Sequence, residues 1–192
     1  MAACSCIKGD MHRLVVPIVI AVALALIAGG YFFFVKEEVE IGQNPNAQAI
    51  SGGEGHGGPS GWKYFENEQY GFALYVPPNL NLVPYDEGSG ARTFSFEDTA
   101  SGDGFQIFVV PYFEDTISQE RFLQDAPSGV RNDVTEITVD GISANAFISE
   151  HMLMGETREV WFIKDDYLYE VTSYKKLDTW LMEIMNTWRF TR

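Results

Sequence analysis

The sequence is poor in the side chains that most chemistry needs. Both cysteines, Cys4 and Cys6, precede the long apolar run near the start, so the rest of the 192-residue chain has no thiol and no possible disulfide. Past the first 60 residues one histidine remains, His151. Nucleophilic catalysis needs an activated Ser, Cys or Lys beside a base, and that inventory is thin. No Gly-x-Ser-x-Gly elbow, phosphate loop, dinucleotide fingerprint or His-Glu-x-x-His pair occurs. Positive charge is scarce too: the chain carries a net charge of -14, and from Gly61 onward ten Lys and Arg face 22 Asp and Glu. That balance argues against nucleic acid as a partner, because a phosphate backbone needs clustered Lys and Arg, and it favours cationic partners or metal ions.

What is present first is a lipid-compatible run. Residues 14–35 contain no charged side chain, and at about 1.5 Å per residue they extend about 33 Å, close to the hydrocarbon thickness of a bilayer. This predicts one transmembrane helix, with Pro17 in its first turn and Tyr31, Phe32, Phe33 and Phe34 toward the far interface. The run continues well past Ala23 and Ala25, which makes it longer than the core of a cleaved signal peptide. Lys8 and Arg13 stand before it, whereas Lys36 is followed by Glu37, Glu38 and Glu40. The positive-inside rule then places residues 1–13 in the cytoplasm and everything after the helix outside the cell membrane.

Residues 36–61 are rich in Gly, Asn, Gln and Ser and poor in large apolar side chains. Such a composition cannot repay the entropy of ordering and reads as a flexible Gly-rich linker, with a mean reach of roughly 25–30 Å. His56 lies within it as a solvated residue.

From Trp62 to the end, residues 62–192, aromatic and β-branched residues come in short runs divided by Gly, Asp, Asn and Pro. The runs predict strands over 63–65, 72–76, 93–97, 105–110, 136–139, 144–150, 158–163 and 167–174. Several alternate with period two, as in Val160 and Phe162 against Glu159 and Trp161. Lys164-Asp165-Asp166 and Asp140-Gly141 predict tight reversals between antiparallel neighbours. Two segments have helical spacing. Residues 116–126 pair Thr116 with Gln119 as a capping box before Pro127, and Leu177, Trp180, Leu181, Ile184, Met185 and Trp188 form one apolar stripe after Asp178 or Thr179 as cap. The fold class is therefore α+β, with a helix lying on a mostly antiparallel sheet.

The stretch Tyr64, Asn67, Tyr70, Gly71 and Phe72, running into a strand that stops at Pro77, resembles the first hairpin of the PsbP-like family. Val139 to Ala144, Trp161 to Thr172 and the closing Met185 to Phe190 are similar to that family's middle turn, late paired strands and final helix. The resemblance covers about Tyr64 to Phe190 and consists of packing residues. It implies an α/β/α sandwich with a central antiparallel sheet, a fold shared by extrinsic photosystem II subunits and a Ran-binding nuclear import factor, and it implies adaptor or assembly roles rather than catalysis. No partner-binding or metal-binding residue of the family is matched here. The anchor and linker depart from the lumenal plant proteins and fit a membrane-anchored bacterial relative.

Three clusters are candidate sites. Glu97, Asp98 and Asp103 flank a polar loop and could hold calcium through carboxylates, without the ligand alternation of an EF-hand. His151, Met152 and Met154 are soft donors of the kind copper(I) takes, or else a strand end with packed methionines. Tyr112, Phe113, Tyr167 and Tyr169, with Tyr70 and Tyr75, are candidates for an aromatic partner surface. Apart from those two metals no cofactor is expected. The reading that follows is a noncatalytic extracytoplasmic module that binds an envelope protein or supports assembly. A metal- or small-ligand-binding domain is the alternative, and an envelope hydrolase built on two facing carboxylates is the second alternative.

Overall fold

Alternating apolar side chains build two antiparallel sheets in the computed structural model, which describes residues 58–192. The predicted transmembrane segment 14–35, most of the linker and Cys4 and Cys6 lie outside the described residues. No helix among the described residues is long and apolar enough to cross a membrane.

A three-stranded sheet is formed by β1 (Lys63–Asn67), β2 (Phe72–Val76) and β10 (Arg189–Phe190), in the order β1-β2-β10. Its first turn explains the Asn-x-x-Tyr-Gly pattern. Asn67 accepts the Tyr70 amide on its side-chain oxygen at 3.0 Å and the Gly71 amide on its carbonyl at 2.8 Å. Gly71 takes φ +68, which an L side chain rarely adopts.

The second sheet has seven strands: β3 (Asn81–Gly88), β4 (Ala91–Glu97), β5 (Gly104–Pro111), β6 (Asn132–Val139), β7 (Ile142–His151), β8 (Gly155–Lys164) and β9 (Tyr167–Tyr174), ordered β3-β4-β5-β9-β8-β7-β6. Every pairing in it is antiparallel. The turns at Asp140-Gly141 and Asp165-Asp166 have positive φ at both central residues, the two-residue hairpin geometry expected from their composition.

Strand β3 has no counterpart in the sequence reading. It lies at the edge of the sheet, largely exposed on both faces, so it shows no alternation, and its Pro84 is tolerated because an edge strand pairs on one side only. Both helices are shorter than their patterns. Helix α1 (Gln119–Asp125) starts late because Ser118, not Thr116, accepts the Arg121 amide as cap. The Thr116 carbonyl instead accepts the Tyr112 hydroxyl at 2.8 Å. Helix α2 (Asp178–Met185) follows a 3-10 turn and has no side-chain cap. The Asp178 carboxylate is taken by the Arg158 guanidinium, with both contacts at 2.8 Å. Trp188 falls past the end of α2 yet stays fully buried.

Period two sends successive side chains of the large sheet to opposite faces. One face carries Phe94, Phe96, Phe105, Ile107, Tyr169, Val171, Val160 and Phe162 and packs against the small sheet and the apolar side of α2. Phe72 stacks on Trp188 at 4.6 Å and meets Tyr169 edge-on at 5.9 Å. The opposite face carries Phe147 and Trp161, covered by Phe122 and Ala126 of the α1 segment. The central antiparallel sheet is as expected. The outer layers differ from a plain helical sandwich, because one of them is shared between α2 and a second sheet.

Candidate binding site

Two of the three carboxylates expected to hold calcium are already in use. Asp98 accepts from the Ala100 amide at 2.9 Å, Asn79 at 3.0 Å and Ser101 at 3.1 Å. The Ala100 amide, more than any other contact, holds its carboxyl below the usual range. Asp103 pairs with Lys176 at 2.5 Å, and Glu97 is exposed on the strand end. Among the described residues no group of three or more His, Cys, Asp or Glu could hold a metal ion.

The rings expected to form a partner surface divide. Tyr169 is 1% exposed and donates its hydroxyl to the Tyr70 carbonyl at 2.6 Å; Tyr112 is 8% exposed and closes a loop. Both are interior, so the surface proposed for them is corrected. Tyr169 sits on a sheet covered on both sides, and Tyr112 follows β5 into a loop that its own hydroxyl closes. Tyr167 is half-buried against Tyr70, and Phe113 stands clear at 81% exposure.

The third cluster lies at the tip of the β7–β8 hairpin. His151 pairs with Gly155 across the strand ends, and its Nδ1 accepts the amides of Leu153 and Met154 at 3.3 Å. That use of Nδ1 leaves only Nε2 of the imidazole free to engage a partner. Gly155 closes the turn at φ +72. The chain is thereby forced outward, with Met152 at 97% and Leu153 at 61% exposure. The expected packing of Met152 is absent, because the three-residue tip extends past anything it could pack on. Met154 is half-buried and does not share the groove that His151 and Met152 line.

That open groove has a volume of about 740 Å³. Its floor and one side come from the hairpin, with Glu150 and Glu156 flanking Met152 and Leu153; its far wall is Pro127 and Ser128. The wall follows directly from helix α1. Its contact to the sheet is the Ser128 hydroxyl, 3.5 Å from that of Ser149 on β7.

Beneath α1 lies a polar set that sequence reading missed. Glu159 and Glu170 are each 6% exposed, on neighbouring strands β8 and β9 and on the same face. Glu159 accepts from Thr172 at 2.6 Å, Thr157 at 2.7 Å and the Trp161 indole at 3.2 Å. Burial pushes its carboxyl above the ordinary range, and those three donors pull it partly back. Glu170 lies 3.9 Å from the Arg121 guanidinium and faces Asp125, which itself pairs with Arg121 one helical turn back. Burial, then the hydrogen bond and negative charge of Asp125, raise Glu170 well above the usual carboxylate range, against the pull of Arg121. The available signal was Thr157, Glu159 and Trp161 beside Leu168, Glu170 and Thr172, acids placed between side chains of an otherwise buried stripe.

No protein-family model matches the sequence, and no curated protein matches it. Among solved structures the chain is similar to the solution structure of cyanobacterial PsbP (CyanoP) from Synechocystis sp. PCC 6803, at 11% identity and a TM-score of 0.48, over 72% of this chain and 98% of that one.

Proposed function

We propose that the chain is a noncatalytic protein-binding module, held at the outer face of the cell membrane by segment 14–35 and engaging an envelope protein through the tip of the β7–β8 hairpin. The observation that carries this reading is the tip itself. Met152 and Leu153 are large apolar side chains held in water by a hydrogen-bonded turn, beside a groove large enough for one inserted side chain. Methionine adapts its shape to a partner at little cost, which suits it to such a surface.

The rim selects the partner's chemistry. Glu150 and Glu156 are exposed on either side of the tip, Glu156 already paired with Lys175 at 2.8 Å, and the module as a whole is acidic. The complementary occupant is a protein segment bearing an apolar side chain flanked by Lys or Arg. Photocrosslinking from position 152 in the anchored full-length chain tests this: a discrete crosslinked protein is expected, lost when Leu153 is changed to Ser and when Glu150 and Glu156 are changed to Lys. Equal crosslinking in all three proteins would sink the assignment.

A further inference from the structure

The groove's far wall, Pro127 and Ser128, is carried by the end of helix α1, and α1 is held on the sheet by an unusual contact. Its apolar grip is one ring and one methyl group, Phe122 and Ala126, on Phe147 and Trp161. Its polar grip pairs Arg121 Nε with Asp125 Oδ2 over Glu170, whose buried Oε1 has no hydrogen-bond partner and lies 3.9 Å from the Arg121 guanidinium. A carboxyl buried in a dry site beside another carboxylate is costly to ionise.

We propose that Glu170, beneath the Arg121–Asp125 pair of α1, is a proton-gated latch: protonated, it holds α1, and with it the Pro127–Ser128 wall, on the sheet, and loss of its proton releases both. The inference rests on the hairpin groove being the binding site and names its regulation.

The surrounding charges set the direction. Facing Glu170 are Asp125 and Arg121 from α1 and Glu159 from β8. From β5 its cross-strand neighbour is Phe108, whose ring lies 6.0 Å from the Arg121 guanidinium. Arg131, beyond the wall, is engaged over the rings of Phe122 and Phe147 at 5.3 and 5.2 Å. With Glu170 protonated, the Arg121 charge is matched by its partner on α1. With Glu170 ionised, one buried negative charge is left over, and Glu159 adds to the repulsion. The position of Glu170 well above the usual carboxylate range agrees with the protonated state being the latched one. The latch therefore closes on the acid side and opens as pH rises.

Amide hydrogen exchange on the full-length chain in detergent, read as protection factors so that the intrinsic pH dependence of exchange is removed, tests this directly. Between about pH 5 and about pH 8, protection over residues 122–130 is expected to fall by about tenfold or more while that of β5 and β9 holds. Glu170→Gln, which keeps a neutral donor facing Asp125, is expected to hold the segment protected across the whole range. If Glu170→Gln does not fold, Asp125→Asn carries the same expectation, since it leaves one carboxylate facing Arg121 with no excess charge. A flat profile in the unaltered chain, or the same fall in both variants, overturns the latch. Loss of crosslinking at Met152 tests the docking site and leaves these protection factors unmoved, so the two ideas fail separately.

Discussion

The two faces of the seven-stranded sheet start from the same alternation and end with opposite characters. On one, Phe, Tyr, Ile and Val meet a second sheet and helix α2 in a continuous aromatic interior, with Trp188 stacked on Phe72 at 4.6 Å and edge-on to Phe162 at 5.3 Å. On the other, a seven-residue helix covers Phe147 and Trp161 with little more than Phe122, and the remaining contact is made by acids and an arginine. Dry aromatic packing is dense and insensitive to pH, and it makes a rigid platform. A small cover over buried ionisable groups has few contacts to lose and responds to protons, which is the character expected of a part that moves. The exposed hairpin tip and its groove lie at the border of the second kind of region.

The comparison breaks most severely at the aromatic face. Trp188→Ala removes a fully buried ring and is expected to cost about 3–5 kcal/mol, read as a lowered urea midpoint with an unchanged slope. A loss well under that would mean the two faces are not different in kind. On the polar face, Glu159→Ala strands the hydroxyls of Thr157 and Thr172 and the Trp161 indole, and is expected to cost about 1–3 kcal/mol in the same measurement.

Glu159→Gln sharpens the contrast through pH instead. Because the folded carboxyl of Glu159 lies above its unfolded value, the protonated form favours folding. That stability is fully present below the ordinary carboxylate range and is lost as pH rises through the raised folded value. Denaturant titrations across this window should show a flatter pH profile for Glu159→Gln than for the unaltered chain. Asp98 runs the other way: its lowered carboxyl contributes above the ordinary range and loses that contribution as pH falls. The smallest effect is expected outside both faces. Arg158→Ala removes the forked contact to Asp178, which is 39% exposed, and should cost no more than about 1 kcal/mol, seen as a small drop in Tm.

The strands that alternate against a buried face were legible: β2, β5, β8 and β9 lie where their Phe, Val, Ile and Tyr spacing placed them, and the Asp-Gly and Asp-Asp turns close as two-residue hairpins. Edge strand β3 was not, because only Leu82 along it packs on the core and little selection for alternation remains. The spacing of Thr116 and Gln119 marks a cap only where the chain before the helix is extended, and Ser118 takes that place here. Here the Tyr112 hydroxyl binds residues 116 and 118 into a loop first. The His151 and Met152 pairing was visible as a local cluster, and its exposure was not, since that depends on how far β7 and β8 run past their neighbours.

Composition and order alone determined that residues 62–192 would form a thiol-free, acidic, antiparallel domain, because period-two patterning and turn chemistry are local and survive in any context. Only the tertiary structure decided that Tyr169 and Tyr112 are interior and that Met152 is not. It also decided that Glu159, Glu170 and Asp125 share one dry site beneath a short helix. Those outcomes depend on which residues distant in sequence cover each face of the sheet, and no local pattern records that choice.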